Sequence, residues 1–463
     1  MGFRLHNGVM HPEVQDLLTT YFGDRFSVSV AHRETHARDE SHPEVHWPDG
    51  VVFAESESDV LKVLEIARIH NIPVVPFGAG SSIEGQVLPV HGGISLDLGR
   101  MNRVVSIHPG DFCAVVQPGV LYPELSRQAR PYGLFFAVDP GADASLGGMA
   151  STNASGTGAV KYGTMRDQVL DMRVALVSGE VLHVGTKARK SSAGYDLKHL
   201  FIGSEGTLGI ITEMTVRLHP LPVTVAVARV TFDSVQDAVN CAVTVMGAGL
   251  NPERIELIDA RAAQAVNRYK NLHYPESPTL WIEISASGES VLRENLEILR
   301  DCCMEGYATS FMLAREERER RELWESRHHA FYALKAMHPS HHTHATDLCV
   351  PISRLPEVVS HTEDLCQQWG LDAVLLGHVG DGNYHVLFHG DPQDQQVWEN
   401  IHTVSDRMVE KALEVGGTCT GEHGIGLKKK KYLQQEHADL IPHMRAIKQV
   451  FDPQGLLNPG KIF

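Results

Sequence analysis

The sequence lacks the marks of a nucleic-acid-binding, membrane-spanning or disulfide-stabilised protein. Its 463 residues include 41 basic and 57 acidic side chains, and the formal charge of −16 argues against nucleic acid as a main partner. No apolar run reaches the roughly 18 residues that span a bilayer, and the first residues lack the apolar core of a signal peptide. The seven cysteines are odd in number and form no CxxC pair, which is typical of reduced thiols. We therefore expect a cytoplasmic protein, with peripheral contact to the inner membrane left open.

The first stretch that can carry chemistry is a glycine and serine loop after a β-α-β pattern. Ser56 precedes apolar residues at helical spacing and predicts a helix that ends near Asn71, and IPVVPFG predicts the next strand. A Rossmann fingerprint needs GxGxxG at the start of a helix, but here the third glycine is Gly85 and a proline and paired glycines follow. A Rossmann fold is therefore excluded. Residues 78–85 can still wrap a pyrophosphate with N–H and hydroxyl groups, and a flexible turn is the alternative.

Two further glycine-rich segments follow the first loop. Residues 139–163 consist mainly of Gly, Ala, Ser and Thr, and FIGSEGTLGII forms the third cluster. Small residues let the backbone approach a flat ligand closely. Because strand patterns resume directly after residue 163, a long loop of this kind is more typical of a functional segment than of disorder.

The stretch HVGDGNYH, residues 378–385, predicts a β-hairpin that carries two histidines. Asp381-Gly382 is a strong signal for a type I′ turn, because both central positions of that turn need positive φ. With these residues at the turn, His378 pairs directly with His385 and their Cβ atoms lie roughly 5 Å apart on one side of the ribbon. Two such imidazoles can hold one metal ion. The alternative is a surface hairpin without function in a chain that has 27 histidines.

The motif GEHGIG, further along the chain, offers Glu422 and His423 between glycines. Two histidines and one carboxylate leave coordination positions open, which suits a catalytic metal site better than a closed structural one. Zinc, manganese and iron all accept this ligand set. The basic run at residues 428–431 is predicted to be a solvated face, with steering of an acidic substrate or an electron acceptor as the alternative.

Eight motifs in one order resemble a known family. They are PFGAGSS, SLGGMASTNASGTG with KYG, GSEGTLGIIT, LWESRHHA, TDLCVPISRLPE, GHVGDGNYH, GGTCTGEHGIG and DPQGLLNPGK. The first three resemble the flavin-binding domain of the vanillyl-alcohol-oxidase type. The whole series, over roughly residues 25–463, resembles the FAD-dependent D-2-hydroxyacid dehydrogenases, most closely the cytochrome-type D-lactate dehydrogenase group.

This resemblance implies an α+β fold in four parts. They are an N-terminal segment (1–46), a FAD-binding domain of the p-cresol-methylhydroxylase (PCMH) type (47–221), an α+β cap or substrate domain (222–419) and a C-terminal segment (420–463) that returns to complete the active site and the FAD domain. Strand patterns such as VTVAVARVTF and PTLWIEISAS alternate with amphipathic helices, which agrees with an α+β cap.

The resemblance also implies which residues hold the cofactor. The residues expected to bind FAD are Gly78, Ala79, Gly80, Ser81, Ser82, Gly85, Pro140, Ser145, Gly147, Gly148, Ala154, Gly156, Gly158, Gly163, Gly209, Ile211 and Asn458. No histidine lies between Pro76 and Glu84, where relatives often attach their flavin covalently. We therefore expect non-covalent FAD.

For the reaction, the resemblance implies His378, His385 and Glu422 as ligands of one divalent ion. It implies His423 as the catalytic base, Arg327 as the residue that grips the substrate carboxylate, and Asn383 as a further catalytic residue. A divalent ion on the substrate oxygen lowers the pKa of the hydroxyl, so that an imidazole can take the proton while hydride leaves for the flavin.

The expected substrate is a small D-2-hydroxyacid. D-2-hydroxyglutarate dehydrogenases carry a lysine where this chain has Thr346, so a monocarboxylate such as D-lactate is favoured. The expected electron acceptor is a quinone, a cytochrome or an electron-transfer protein, and a homodimer is left open. The alternatives are the FAD subunit of a glycolate oxidase complex, a D-2-hydroxyglutarate dehydrogenase, and a flavin-free His/Glu metal-binding module without enzymatic activity.

Overall fold

The structure, a computed structural model, describes residues 10–39 and 44–463, without the side chain of His328. The chain forms two compact units. Unit 1 contains the described residues up to Ser155, Gly163–Leu221 and Glu422–Phe463, and unit 2 contains Gly156–Tyr162 and Pro222–Gly421. The four-part domain division predicted from the sequence stays a prediction.

Unit 1 contains two main β-sheets and a short ribbon. Its strands are β1 Phe26–Ser27, β2 Gly50–Phe53, β3 Val74–Phe77, β4 Ile94–Asp97, β5 Val104–His108, β6 Cys113–Val116, β7 Leu134–Phe135, β8 Val169–Ala175, β9 Val181–Gly185, β10 Ile210–Arg217 and β11 His219–Pro220. The first sheet has the order β1-β2-β4-β3, in which β2 and β3 run parallel to β4. The second has the order β5-β6-β10-β8-β9 and is antiparallel throughout, and β7 pairs with β11.

The helices of unit 1 are mostly short. They are α1 Pro12–Phe22, α2 Val30–Thr35, α3 Glu57–His70, α4 Tyr122–Ala129, α5 Leu146–Thr152, α7 Met165–Gln168, α8 Lys198–Phe201, α16 Lys430–Glu436 and α17 Ile441–Phe451. The helix predicted after Ser56 is confirmed, because the Ser56 hydroxyl accepts a hydrogen bond from the Asp59 N–H at 3.2 Å. Asn71 ends α3 with a positive φ of 55°. The buried face of α3 packs on the first sheet and fixes the strand that leads into residues 78–85.

Unit 2 is built on one large sheet. Its strands are β12 Thr224–Thr231, β13 Arg254–Ile258, β14 Thr279–Ala286, β15 Ser310–Ala314, β16 His342–Ala345, β17 Leu348–Cys349, β18 Ala373–Gly377 and β19 Asn383–Gly390. The order is β15-β12-β14-β13-β18-β19-β16, and β17 pairs with β19 beside β16. All of these pairs are antiparallel.

Helices cover the sheet of unit 2. They are α6 Ala159–Tyr162, α9 Val235–Gly247, α10 Ala260–Lys270, α11 Glu289–Glu305, α12 Glu317–His328, α13 Ala330–Met337, α14 Leu355–Gln368 and α15 Gln395–Glu414. One hydrophobic core joins α10, α12 and α13 to the sheet face that carries Val227 and Trp281. The predicted α+β character is confirmed in both units.

The seven cysteines are all free thiols, and Cys419 is buried. Within the described part of the chain, no helix is both long and apolar enough to cross a bilayer.

Candidate active site

The two histidines of HVGDGNYH lie on a hairpin, but its register differs from the predicted one. Leu376, and not His378, pairs with His385. Of the two residues expected at the turn, only Gly382 has a positive φ, at 77°. The predictions of a type I′ turn and of a direct His378–His385 pairing are therefore wrong. The physical reason is tertiary. The Gly382 carbonyl accepts a hydrogen bond from the Val350 N–H at 3.0 Å, so a residue outside the hairpin fixes the backbone at the turn.

The two imidazoles are nevertheless neighbours. The pairing of Leu376 with His385 places His378 diagonal to His385, because side chains two residues apart on a strand point to the same face. Their ring centroids are 5.5 Å apart and the ring planes are almost perpendicular, at 87°. The predicted proximity therefore survives a register that is shifted by two residues.

Both rings are oriented through Nδ1. His378 Nδ1 lies 2.6 Å from Glu256 Oε1, and His385 Nδ1 lies 3.1 Å from the carbonyl oxygen of Thr346. A carboxylate and a carbonyl can only accept, so Nδ1 of each ring is the donor in these contacts and Nε2 is the nitrogen left to face a ligand. A histidine fixed in this way is typical of metal ligands. The donor set of unit 2 therefore fits a divalent ion.

Glu256 connects His378 to Arg327. Its carboxylate is fully buried on β13, and its Oε2 accepts from Arg327 Nη2 at 2.7 Å. Arg327 is itself only 8% exposed, and its Nε is buried without a hydrogen-bond partner among the described residues. Arg327 therefore retains a donor that a ligand can use. Glu256 is not among the residues predicted from the sequence, although a single acidic residue inside the apolar strand RIELI is a signal for such a site.

Asn383 holds a second buried carboxylate. Its Nδ2 donates to Asp347 Oδ1 at 2.8 Å and to the Leu348 carbonyl at 2.9 Å. Thr420 Oγ1 donates to Asp347 Oδ2 at 2.8 Å, and His385 Nδ1 lies 3.7 Å from Asp347 Oδ1. The structure thus assigns Asn383 a contact that orients Asp347, a residue absent from the predicted site.

The predicted base, His423, belongs to unit 1. Its Nδ1 lies 3.4 Å from Glu84 Oε1, and its Nε2 lies 3.9 Å from Glu422 Oε1. Its carbonyl accepts from Gln86 Nε2 at 2.7 Å. Burial would raise the pKa of Glu84, but Lys429 and His423 beside it hold that pKa below its usual range. Glu84 is not among the site residues predicted from the sequence.

The backbone after His423 is anchored by a buried carboxylate, Glu205. It accepts from the Ile425 N–H at 2.7 Å and from the Gly426 N–H at 2.9 Å. Desolvation raises the pKa of Glu205 to about 7. The GEHGIG segment is therefore held by side chains of residues 84, 86 and 205, and not by its own sequence alone.

The prediction that residues 428–431 form a solvated face is wrong for Lys429, which is buried, whereas Lys431 is exposed. Lys429 is 5% exposed and its Nζ lies 3.3 Å from Glu84 Oε1. Lys428 donates to the Ile83 carbonyl at 2.9 Å, and Lys430 donates to the Gly460 carbonyl at 3.0 Å. Buried acceptors recruit these lysines, and a charge run read from the sequence cannot reveal such acceptors.

Two of the predicted FAD-binding segments meet in unit 1. A Cβ at Gly78 would overlap Ser145 Oγ, and Gly148 lies beside the same hydroxyl. The Ser82 and Ser145 hydroxyls are buried without a partner among the described residues. Close backbone and two buried hydroxyls fit a pyrophosphate, which accepts hydrogen bonds from such groups.

The remaining predicted cofactor residues are distributed over both units. Gly156 and Gly158 belong to unit 2, whereas Gly163 belongs to unit 1 and has a φ of 80°. The other members in unit 1 are Ala79, Gly80, Ser81, Gly85, Pro140, Gly147, Ala154, Gly209 and Ile211. Asn458 also belongs to unit 1, where its Nδ2 donates to the Gln86 carbonyl at 3.0 Å and to the Glu205 carbonyl at 2.8 Å.

Two family models match almost the whole chain from residue 48 onwards. The FAD binding domain matches residues 48–185, and the C-terminal domain of FAD linked oxidases matches residues 221–462. The chain belongs to the FAD-linked oxidase family. It is accordingly an FAD-binding oxidoreductase, and of the predicted cofactors FAD is confirmed.

Members of this family resemble the chain over most of its length. It is 43% identical to a protein named probable mitochondrial D-lactate dehydrogenase of Danio rerio, covering 94% of this chain and 88% of that one. It is 39% identical to mitochondrial D-lactate dehydrogenase [cytochrome] of Arabidopsis thaliana, covering 97% of this chain and 80% of that one. It is 33% identical to the glycolate oxidase subunit GlcD of Bacillus subtilis, covering 95% of this chain and 94% of that one.

The predicted PCMH-type fold is also confirmed. A solved p-cresol methylhydroxylase superposes with a TM-score of 0.81 over 99% of this chain and 98% of that one, at 18% identity. The predicted cytoplasmic location is wrong, because the D-lactate dehydrogenases that this family member resembles are mitochondrial proteins.

Proposed function

We propose that the protein is an FAD-dependent dehydrogenase that oxidises D-lactate, or a similarly small D-2-hydroxyacid, to the 2-oxo acid. The observation that carries this proposal is the 43% identity to a D-lactate dehydrogenase across 94% of the chain. Electrons then pass to a cytochrome or a quinone, since a relative at 39% identity is named for a cytochrome. The flavin is non-covalent.

We further propose that His378, His385 and Glu422 hold one divalent ion. The two histidines are oriented with Nε2 as the ligand nitrogen, as described above. Glu422 follows Thr420 by two residues, and Thr420 is hydrogen-bonded to Asp347 in unit 2. Covalent continuity therefore limits how far Glu422 can lie from that carboxylate, because each step along the chain spans about 3.8 Å. Zinc, manganese and iron remain the candidates.

The cofactors and two residues of the chain have different roles in the proposed reaction. When bound, FAD supplies the two-electron oxidant that accepts hydride from the α-carbon. A bound divalent ion supplies the Lewis acidity that makes the substrate hydroxyl more acidic. His423 takes the hydroxyl proton at its Nε2, while Glu84 faces its Nδ1. Arg327 grips the substrate carboxylate through its buried Nε, because its Nη2 is already bound to Glu256.

The substrate is proposed to be a monocarboxylate. Thr346, at the position where D-2-hydroxyglutarate dehydrogenases carry a lysine, is buried, and its hydroxyl accepts from the Val386 N–H at 3.0 Å. This position therefore provides no cation for a second carboxylate. We expect D-lactate to be oxidised with a higher kcat/KM than D-2-hydroxyglutarate.

The test is anaerobic reduction of the purified flavoprotein. Adding D-lactate should bleach the flavin absorbance within the dead time of manual mixing, whereas L-lactate should not. Treatment with a chelator should abolish the bleaching, and adding back Zn²⁺ or Mn²⁺ should restore it. A flavin band that stays oxidised with every small D-2-hydroxyacid would refute the proposal, and bleaching that resists the chelator would refute the metal site.

A second candidate is the flavin subunit of a glycolate oxidase complex. The similarity to GlcD of Bacillus subtilis, at 33% identity over 95% of the chain, favours it. The same anaerobic titration decides, because faster bleaching by glycolate than by D-lactate, together with a copurifying iron–sulfur protein, would replace the first proposal.

A further inference from the structure

Unit 2 contains a buried arginine that has no acidic partner among the described residues. Arg229 lies on β12 and is 7% exposed. Its Nε and Nη1 find no acceptor in the described part of the protein. Burial lowers the pKa of the guanidinium, and the one ionisable neighbour that opposes this shift is Tyr274, whose ring centroid is 4.1 Å from Arg229 Cζ.

A second orphaned donor lies directly opposite Arg229. Trp281 on β14 pairs with Arg229 across the two strands, so the two side chains leave the sheet on the same face with Cβ atoms roughly 5 Å apart. Trp281 is 2% exposed, and its Nε1 has no partner among the described residues. Two facing buried residues therefore carry three nitrogen donors for which the described residues supply no acceptor.

The carboxylates on this face are occupied elsewhere. Glu283, two residues after Trp281, accepts from Trp324 Nε1 at 2.6 Å. Glu256 pairs with Trp281 on its other side, and its oxygens contact His378 and Arg327. Neither is left to neutralise Arg229.

A guanidinium cannot release its proton in a protein, so its burial demands either a counter-charge or a cost in stability. The negative face of the Tyr274 ring partly stabilises the positive charge. The ring does not accept hydrogen bonds from the N–H groups that lie in the guanidinium plane. Water can satisfy the hydrogen bonds but brings no charge. We propose that Arg229 and Trp281 form a binding site for a compact monovalent anion of halide type, with Tyr274 closing one side.

The proposed anion site has no role in the proposed reaction, and its test does not depend on the test of that reaction. The probe is bromide. A crystal of the flavin-loaded protein soaked in sodium bromide should show an anomalous peak in contact with Arg229 Nε and Trp281 Nε1. Solvent density alone at that position, without an anomalous signal, would overturn the proposal.

Thermal unfolding of the flavin-loaded protein provides the second measurement. Replacing fluoride by bromide at constant ionic strength should raise the melting temperature of the wild type in a saturable manner, because an ion that binds only the folded state stabilises it. The matched control is Arg293→Met, at an exposed position of α11, which should keep this response. Arg229→Met should lose it.

Arg229→Met is expected to fold, since replacing a buried charge by an apolar side chain of similar volume is often neutral or stabilising. An equal bromide response in Arg229→Met and the wild type would contradict the assignment. If the variant fails to fold, the anomalous peak in the wild-type crystal decides the question.

Discussion

The carboxylate of Glu256 receives two donors at once, His378 through one oxygen and Arg327 through the other. A single buried residue therefore sets the orientation of a proposed metal ligand and of the proposed substrate-binding arginine. A buried carboxylate without a counter-charge would destabilise the folded protein, and Glu256 is 0% exposed. Arg327 supplies this counter-charge. The residues named from the sequence thus depend on a residue that the sequence did not single out.

Substituting Glu256 by glutamine should weaken metal binding. The amide has one acceptor oxygen for two donors, so either His378 or Arg327 loses its partner. We expect the affinity for Zn²⁺ or Mn²⁺ to fall by about 10- to 100-fold, measured by calorimetric titration of the metal-free flavoprotein. Glu297→Gln, at an exposed position of α11, is the control and should bind like the wild type. Unchanged affinity in the Glu256 variant would show that His378 is oriented by other contacts.

Substituting Glu84 by glutamine should lower kcat for D-lactate by about 10- to 100-fold with little change in KM. Glu84 faces His423 Nδ1 at 3.4 Å, so its charge supports the ring when Nε2 gains a proton. Steady-state kinetics with a dye acceptor give both constants, and the flavin absorbance checks that FAD is retained. The control is Glu180→Gln, an exposed position of unit 1. An unaltered kcat would assign Glu84 to folding alone.

The strand β19 carries two different histidine environments. His385 lies near the hairpin, beside His378, whereas His389 lies further along the same strand, with its ring centroid 5.3 Å from that of His338. His389 is 3% exposed and its Nδ1 lies 3.2 Å from Thr343 Oγ1. Burial lowers the pKa of His389 to about 4, and His338, His341 and Arg261 act in the same direction, while Asp372 opposes them. The far end of this strand should therefore be sensitive to acid.

The sign of this pH dependence follows from proton linkage. In the unfolded chain His389 titrates near its ordinary pKa, whereas the folded protein keeps it neutral down to about pH 4. The unfolded state therefore binds more protons in this window, and stability falls as the pH drops from about 6.5 to about 4, by up to about 3 kcal/mol.

His389→Asn should reduce this acid sensitivity. Asparagine preserves a polar group near Thr343 and does not titrate. Hydrogen exchange of the β19 amides at several pH values between 7 and 4 gives the local stability, and the wild type should lose protection more steeply than the variant. Parallel pH profiles of the two proteins would contradict this assignment.

The whole chain combines a FAD-binding domain with the C-terminal domain of FAD linked oxidases, and its net charge is −16. The acidic balance favours small-molecule chemistry over nucleic acid as a partner. The proposed FAD site combines segments that are distant in sequence, since residues of loops near positions 78 and 145 meet in unit 1. Unfolding should destroy this arrangement at once.

Acid precipitation of the purified protein should release all of its FAD into the supernatant. The reason is that the loop between Pro76 and Glu84 contains no histidine, cysteine or tyrosine that could bond to the flavin. Absorbance at the flavin band, measured in pellet and supernatant, gives the partition. Colour that remains in the washed pellet would mean a covalent link elsewhere in the chain.

The sequence by itself determined the elements whose signals are local. The Ser56 cap, the glycine-rich loops that carry Ser82 and Ser145, and the proximity of His378 to His385 follow from residue spacing, and a hairpin shifted by two residues keeps the same face. Only the tertiary structure decided the roles of Glu256, Glu84 and Lys429, because each is buried against a partner far away in sequence. Burial of a charge depends on those distant partners, and no local pattern of residues encodes it.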